Sequence, residues 1–492
     1  MAELWPGLYL EDFASKPRGG RGEAYPTGSS PTPPACRPSH TQEFPMTVDI
    51  AEPHPSVTPT NQVRVAELAA TTGTTFILAL FVTLTGKPCA KLVPVEAADM
   101  LQDEGVGFAG YAAGAMGQLP RDPDLIGIPD PATFTPIPFV RPGLALVHCD
   151  PYVEGKPWPF APRIILRHAL DTAARELTVN VGAEIEYFLV QRDPGGIRLA
   201  DGADRSAQPC YDARDVTRMY DHLSEISRAM NTLGWGNYAN DHEDGNGQFE
   251  QNFTYADALT TADRVITARY LLSVIAEKRG MQATFMPKPF TDRTGSGMHL
   301  HLSLERTGDA LFPADTDPRG LGLSPTAYSF IAGILDHACA LQAVIAPTVN
   351  SYKRIGATST ASGATWSPSR PTYGGNDRTH YVRVPDGNRI ELRGGDGSAN
   401  PYLAAAAVLT AGLDGIARQL DPGDPGSGPE GTLPMTLVHA VDALVADPVV
   451  TGALDGAGSG VADYFAQLKR EEFFQWHNTV SPWEIDRYLT AF

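Results

Sequence analysis

The chain has 492 residues, 42% hydrophobic and 19% charged, enough apolar material for two to three domains with a sizeable core. Its formal net charge of −19 argues against nucleic acid or an anionic membrane surface as the main partner. The five cysteines (Cys36, Cys89, Cys149, Cys210, Cys339) form no CxxC pair, which speaks against a disulfide framework or a zinc site and fits a reducing cytoplasm.

Residues 1–45 are rich in Pro, Gly, Ser and Arg and have no apolar period, which predicts a disordered extension with Met46 as an alternative start. No secretory signal is visible, and the most apolar run, Phe76 to Leu84, is too short to span a bilayer. A short helix is expected around Val63–Ala70. A β-hairpin follows, with Phe76–Leu84 and Cys89–Val95 joined by the turn Thr85-Gly86-Lys87-Pro88. With the short strands and Gly/Pro loops after it, this makes a small α+β domain at about 57–150. Residues 151–492 form a second, larger domain in which helices alternate with strands. The apolar spacing predicts helices over Ile164–Leu177, Asp215–Leu233, Leu259–Arg279 and Pro325–Ala346. A helical tail, Val461–Phe492, carries Phe474, Trp476 and Trp483 on a face suited to packing or subunit contact.

Four segments of the larger domain break the rule that a strand face directed at a core is apolar. In Gly182-Ala-Glu-Ile-Glu-Tyr-Phe-Leu189, residues two apart share a face, so Glu184 and Glu186 point one way and Ile185 and Tyr187 the other. Two carboxylates side by side need a cation between them, unless the strand is an edge that faces water. Asp241–Glu250 places Glu243 and Glu250 on either side of a Gly-rich turn. Gly295–Ser303 puts His299, His301 and Ser303 on one strand face, and Asn388–Arg393 does the same for Arg389, Glu391 and Arg393. Five glutamates and a histidine suit Mg²⁺ or Mn²⁺ rather than Zn²⁺. Hard cations beside arginines point to phosphate chemistry, although no P-loop or kinase Gly-rich loop is present.

In order along the chain, GAEIEYFLV, HEDGNGQFE, MPKPF, GSGMHLHLS, NSYKR, NDRTHYVRVP, RIELR and SANPYL resemble the glutamine synthetase family from about Phe76 to the C-terminus. The resemblance implies an α+β fold: an N-terminal β-grasp domain and a catalytic domain with a curved antiparallel sheet flanked by helices. It also implies two stacked hexameric rings with active sites at subunit boundaries. By position, Glu186, Glu243 and Glu250 match the ligands of a first metal, and Glu184, His299 and Glu391 those of a second. Arg354 and Arg393 match the arginines that grip glutamate, and Gly295 lies in the matching glutamate loop. Arg378 and Arg383 match the phosphate-facing pair, Arg378 sharing the catalytic role with Arg354. His301, Ser303, Arg389 and Tyr255 match nucleotide contacts. The implied reaction joins glutamate to ammonia or a small amine at the expense of ATP, with Mg²⁺ or Mn²⁺.

Three departures bear on the amine. Thr294 stands where the family has Asn before the glutamate-loop Gly. No carboxylate lies between Ile355 and Ser367, where ammonia-using relatives carry a flap glutamate. The motif whose Asp helps bind ammonium reads Phe108-Ala109-Gly110-Tyr111. These features resemble the type III, or glutamate–methylamine ligase-like, subgroup and favour methylamine. An ammonia-specific enzyme and a catalytically inactive assembly protein are the alternatives.

Overall fold

The computed structural model describes residues 63–172, 174–355 and 366–492. The expected extension 1–45 and Met46 lie outside the described residues. Helix Val65–Thr72 precedes a hairpin in which Phe76–Val82 pairs antiparallel with Pro88–Pro94, as the β-branched and aromatic run and the Gly86 turn require. Phe76–Val82 also pairs in parallel with Leu144–Val153, which continues antiparallel to Leu125–Pro129 and so to Val106–Phe108. These strands, with two short additions, make a seven-stranded sheet among the described residues.

The second sheet has eleven described strands. Its main path runs Asn237–His242, Gln248–Phe253, Thr178–Asp193, Met298–Arg306, Arg389–Leu392, Val382–Asp386 and Tyr373–Gly374. All neighbours are antiparallel except the last pair. Thr178–Asp193, the strand of Glu184 and Glu186, is hydrogen-bonded on both sides, so it is not an edge. Its other face is apolar: Ile185 and Tyr187 are fully buried and pack into the main core.

Helix Pro401–Ala417 runs through the centre of the helical layer, its Ala404–Ala407 run buried against Pro325–Asp336 and Pro162–Thr172. The sequence motif SANPYL explains where it starts. Asn400 accepts from the Tyr402 amide at 3.1 Å as N-cap, and Pro401 occupies the first helical turn. The Asn400 amide also donates to the Thr83 carbonyl at 3.0 Å, tying this helix to the first sheet. A second tie is the buried Arg163 guanidinium, which donates to Asp130 at 2.8 Å, Asp150 at 2.7 Å and Asp263 at 2.9 Å. Removing one partner from such a buried set costs about 3–5 kcal/mol, because the others are left uncompensated.

Several expected helices differ in the structure. The one over Ile164–Leu177 spans Pro162–Thr172, and Asp215–Leu233 divides at Met219 into Ala213–Arg218 and Tyr220–Thr232. Pro325–Ala346 is two helices, Pro325–Asp336 and Ala338–Ile345, bent by 74° about His337. The cause is polar: His337 Nδ1 meets Asp447 at 2.7 Å and Nε2 meets Asp414 at 3.1 Å, contacts that an uninterrupted apolar rod would not place. The tail divides into Val461–His477 and Pro482–Tyr488, where Ser481 and Glu484 form a capping box. Among the described residues no single helix is long and apolar enough to cross a membrane.

Candidate active site

The large sheet sets the site by register. Glu250 lies directly opposite Glu186, His299 opposite Glu184, and His301 opposite Glu391. Strand periodicity therefore puts the acids of three different strands on one face, behind which the apolar alternates fill the core. The Asn237–His242 and Gln248–Phe253 strands close the Gly-rich turn that carries Glu243. All six expected metal ligands are brought onto this face or its rim.

Each acid is held differently. Glu184 accepts from His299 Nδ1 at 2.8 Å and from His301 Nε2 at 2.9 Å. Burial alone would raise its carboxyl, but these two imidazoles hold it well below the usual carboxylate range. Glu391 is fully buried; burial works to raise it, while His299 and Arg393 keep it low. Arg383 and Arg393 both donate to it. Glu186 accepts from the Gly297 amide at 2.7 Å and from Gln248 at 3.1 Å. A Cβ at Gly297 would fall 3.0 Å from Glu186 Oε1 and 2.8 Å from His299 Nε2, so only glycine lets this backbone reach the carboxylate.

Glu243 and Glu250 behave in the opposite way. Among the described residues Glu243 accepts from a backbone amide alone, that of Asp244 at 3.3 Å, and Glu250 accepts from Asn252 at 2.9 Å. Neither forms an ion pair among the described residues. Burial, then the charge of Glu186, pushes the Glu243 carboxyl up to about 8. Burial and the charges of Glu184, Glu243 and Glu186 push Glu250 well above its usual range. An oxygen-rich cluster whose acids repel one another fits a hard divalent cation. Glu184, His301 and Glu391 also offer ligand atoms within 4.8 Å of one another, so His301, expected at the nucleotide, lies close enough to share a cation with these two acids.

The expected arginines fall around this face. Arg354 is buried and donates to the Arg393 carbonyl at 3.3 Å. Arg393 is 1% exposed, although the sequence pattern does not show that it is the largest fully buried side chain among the described residues. Arg378 stands exposed on the loop after Tyr373–Gly374, within electrostatic reach of Tyr211. Gly295 lies against Pro287 and Arg354, where a Cβ would come within 2.5 Å of the Pro287 carbonyl.

Behind Glu184, a cavity of about 310 Å³ is lined by Tyr255, His301, Ser303 and Arg389, the four residues expected at a nucleotide. Tyr238, absent from that expectation, lines it too. A β-bulge between Asn237 and Ala239 frees Tyr238 from the ladder, and the Asn237 side chain pins the bulge by donating to Asn252 O at 2.8 Å and accepting from Ser227 at 2.6 Å. The signal in sequence is faint: an Asn–Tyr–Ala–Asn run inside an otherwise ordinary strand.

Residues 159–488 match the glutamine synthetase catalytic domain family. The chain belongs to the glutamine synthetase family. It is 41% identical over 425 residues to a glutamine synthetase of Rhizobium leguminosarum bv. phaseoli, covering 84% of this chain and 96% of that protein. It is 39% identical over 433 residues to the glutamate–methylamine ligase of Methyloversatilis universalis, covering 85% and 96%. Among solved structures, GmaS in complex with ADP superposes with a TM-score of 0.82 at 45% identity, covering 87% of this chain and all of that one. GmaS without ligand gives 0.80 at 44% identity, covering 87% and 99%. The α+β architecture with its glutamine synthetase catalytic domain is thus as expected, and the protein is a glutamate–ammonia/amine ligase of the type that uses ATP and divalent metal ions.

Proposed function

We propose that this glutamine synthetase-family ligase joins glutamate to a small alkylamine, methylamine ahead of ammonia, through γ-glutamyl phosphate. The observation that carries the reading is the lack of acids on the amine side. Position 109 is alanine, and residues 355–367 contain no carboxylate. An ammonium ion needs carboxylates to bind it and take its proton before attack, whereas smaller, more apolar walls leave room for a methyl group. The likeness to glutamate–methylamine ligase and to GmaS supports it. An ordinary ammonia-specific enzyme is the second reading, favoured by the similar identity to the Rhizobium glutamine synthetase. The complete and convergent acid set speaks against an inactive assembly protein.

The roles we assign to the site residues rest on this arrangement. Glu186, Glu243 and Glu250 would hold one Mg²⁺ or Mn²⁺, and Glu184, Glu391 and His299 a second, with His301 beside it. Such cations, when bound, draw negative charge from the substrate carboxylate and the phosphates. Arg354 and Arg393 orient glutamate; Tyr255, Ser303, Arg389 and His301 hold the nucleotide; Arg378 and Arg383 take up charge as the γ-carboxylate attacks the terminal phosphorus of ATP. A neutral amine then displaces phosphate from the acyl phosphate and gives the amide. We read residues 57–150 as a β-grasp domain, residues 151–492 as the catalytic domain, and the assembly as a cytoplasmic dodecamer of two hexameric rings.

The test is ADP release with glutamate across a panel of amines. The expected result is a kcat/KM for methylamine at least equal to that for ammonia, with Ala109→Asp shifting preference toward ammonia. A value for ammonia tens of times above that for methylamine would overturn the reading.

A further inference from the structure

Two exposed aromatic residues near Glu243 have backbones in the left-handed region that side-chain-bearing residues avoid: Tyr211 at φ 61° and Trp366 at φ 55°. Such conformations persist where the surroundings over-determine them, and they concentrate at functional sites. Both are tied to the hairpin of Glu243. The Tyr211 amide donates to the His242 carbonyl at 2.9 Å. The Trp366 indole N–H donates to Asp244 Oδ2 at 2.7 Å, and that same oxygen accepts from Thr294 at 3.2 Å. The Asp244 amide in turn donates to the Glu243 carboxylate at 3.3 Å. On its other side, the Trp366 carbonyl accepts from Arg393 at 3.4 Å.

Trp366 therefore bridges Arg393, which orients glutamate, and the loop of Glu243. Its side chain is still 44% exposed, so part of the indole stays open to solvent beside the Glu243 loop that Asp244 belongs to. The Asp244 carboxylate is engaged by at least two donors, Thr294 and the indole, and serves to anchor the latter. Thr294, one of the departures in sequence, ties Asp244 to the glutamate loop. An indole face offers dispersion and hydrophobic contact to an alkyl group and tolerates a cationic amine as it approaches.

We propose that Trp366, anchored on Asp244, is the specificity-determining residue on the amine side, its indole face receiving the alkyl substituent of the amine. This rests on the alkylamine reading above and deepens it by naming the contact. The test compares kcat/KM for ammonia, methylamine and ethylamine in the natural protein, in Trp366→Ala and in Trp366→Phe, with KM for glutamate and ATP measured alongside.

In Trp366→Ala the methylamine-to-ammonia ratio should fall about fourfold, the contribution of one buried methyl. The ethylamine-to-ammonia ratio should fall further, by about sixteenfold on the same scale. Trp366→Phe, which keeps an apolar ring and loses the N–H, should recover most of both ratios. The Arg393 contact survives in either variant because it is made to the backbone, so KM for glutamate should stay within about twofold. An unchanged ratio, with all amines slowed alike, would overturn the proposal and leave Trp366 as a structural clasp. A rising ratio would also overturn it, by showing that the indole excludes alkyl groups. A natural protein that strongly prefers ammonia would refute the alkylamine reading, whereas the Trp366 contact is judged on the change in ratio alone.

Discussion

Replacing Glu243 by glutamine tests the cation assignment through stability as well as turnover. The Glu243 carboxyl is pushed up to about 8 by burial and by Glu186, against an ordinary value of 4.5. The folded protein then keeps a proton that the unfolded chain releases above pH 4.5. Its contribution to stability falls as pH rises from 4.5 to about 8 and levels off beyond. At ~1.4 kcal/mol per pH unit, holding that proton at pH 7 costs about 3 kcal/mol. Glutamine keeps the shape and carries no charge. In chelator at pH 7, Glu243→Gln should therefore be more stable than the natural protein by about 2–3 kcal/mol, and at pH 4.5 the gain should vanish. Millimolar Mg²⁺ should restore stability to the natural protein and not to the variant, and turnover should be lost. Denaturant unfolding at the two pH values, with and without metal, measures the stability changes, and ADP release measures turnover. A variant no more stable than the natural protein at pH 7 in chelator would show that Glu243 is paired structurally and would sink the reasoning.

Two further outcomes are expected. Gly297→Ala should cut kcat at least ~100-fold while costing about 1–3 kcal/mol of stability, since its methyl would press on Glu186 and His299; near-normal turnover would refute the close approach. His337 is raised to about 9 by hydrogen bonds to Asp414 and Asp447 that outweigh its burial. Its stabilisation, as much as ~3 kcal/mol, should be complete below pH 6.5 and lost as pH rises through 9, so the stability gap to His337→Asn should shrink across that window. A gap independent of pH would refute the ionic account of the bend.

The sequence shows which residues share a face far better than it shows which strands meet. Glu184 with Glu186, and His299 with His301, follow from the two-residue strand period alone. That Glu250 sits opposite Glu186, and His299 opposite Glu184, depends on a strand order that no local pattern encodes. The apolar run from Pro325 to Ala346 hides its own break, because His337 turns the chain through partners about eighty and more than a hundred residues away. Trp366 and Asp244, 122 residues apart, are invisible for the same reason. Tyr238 is missed because a bulge reverses which face the strand period would give it. The family motifs supplied the convergence of the acids, since several of them are the register partners themselves.

The sheet also implies an order of events during synthesis. Its central strand, with Glu184 and Glu186, emerges first, and later segments add on either side. After the short hairpin strand Gly196–Leu199, Gln248–Phe253 brings Glu250 opposite Glu186, so early pairing accumulates negative charge without a counter-ion from the chain. Relief comes only when the His299 strand and then Arg383 and Arg393 arrive, some fifty to one hundred and forty residues later in the sequence. A nascent chain is therefore poorest in internal charge compensation midway through translation. Free divalent cation in the surrounding medium would act there as a folding partner well before it has any substrate to help.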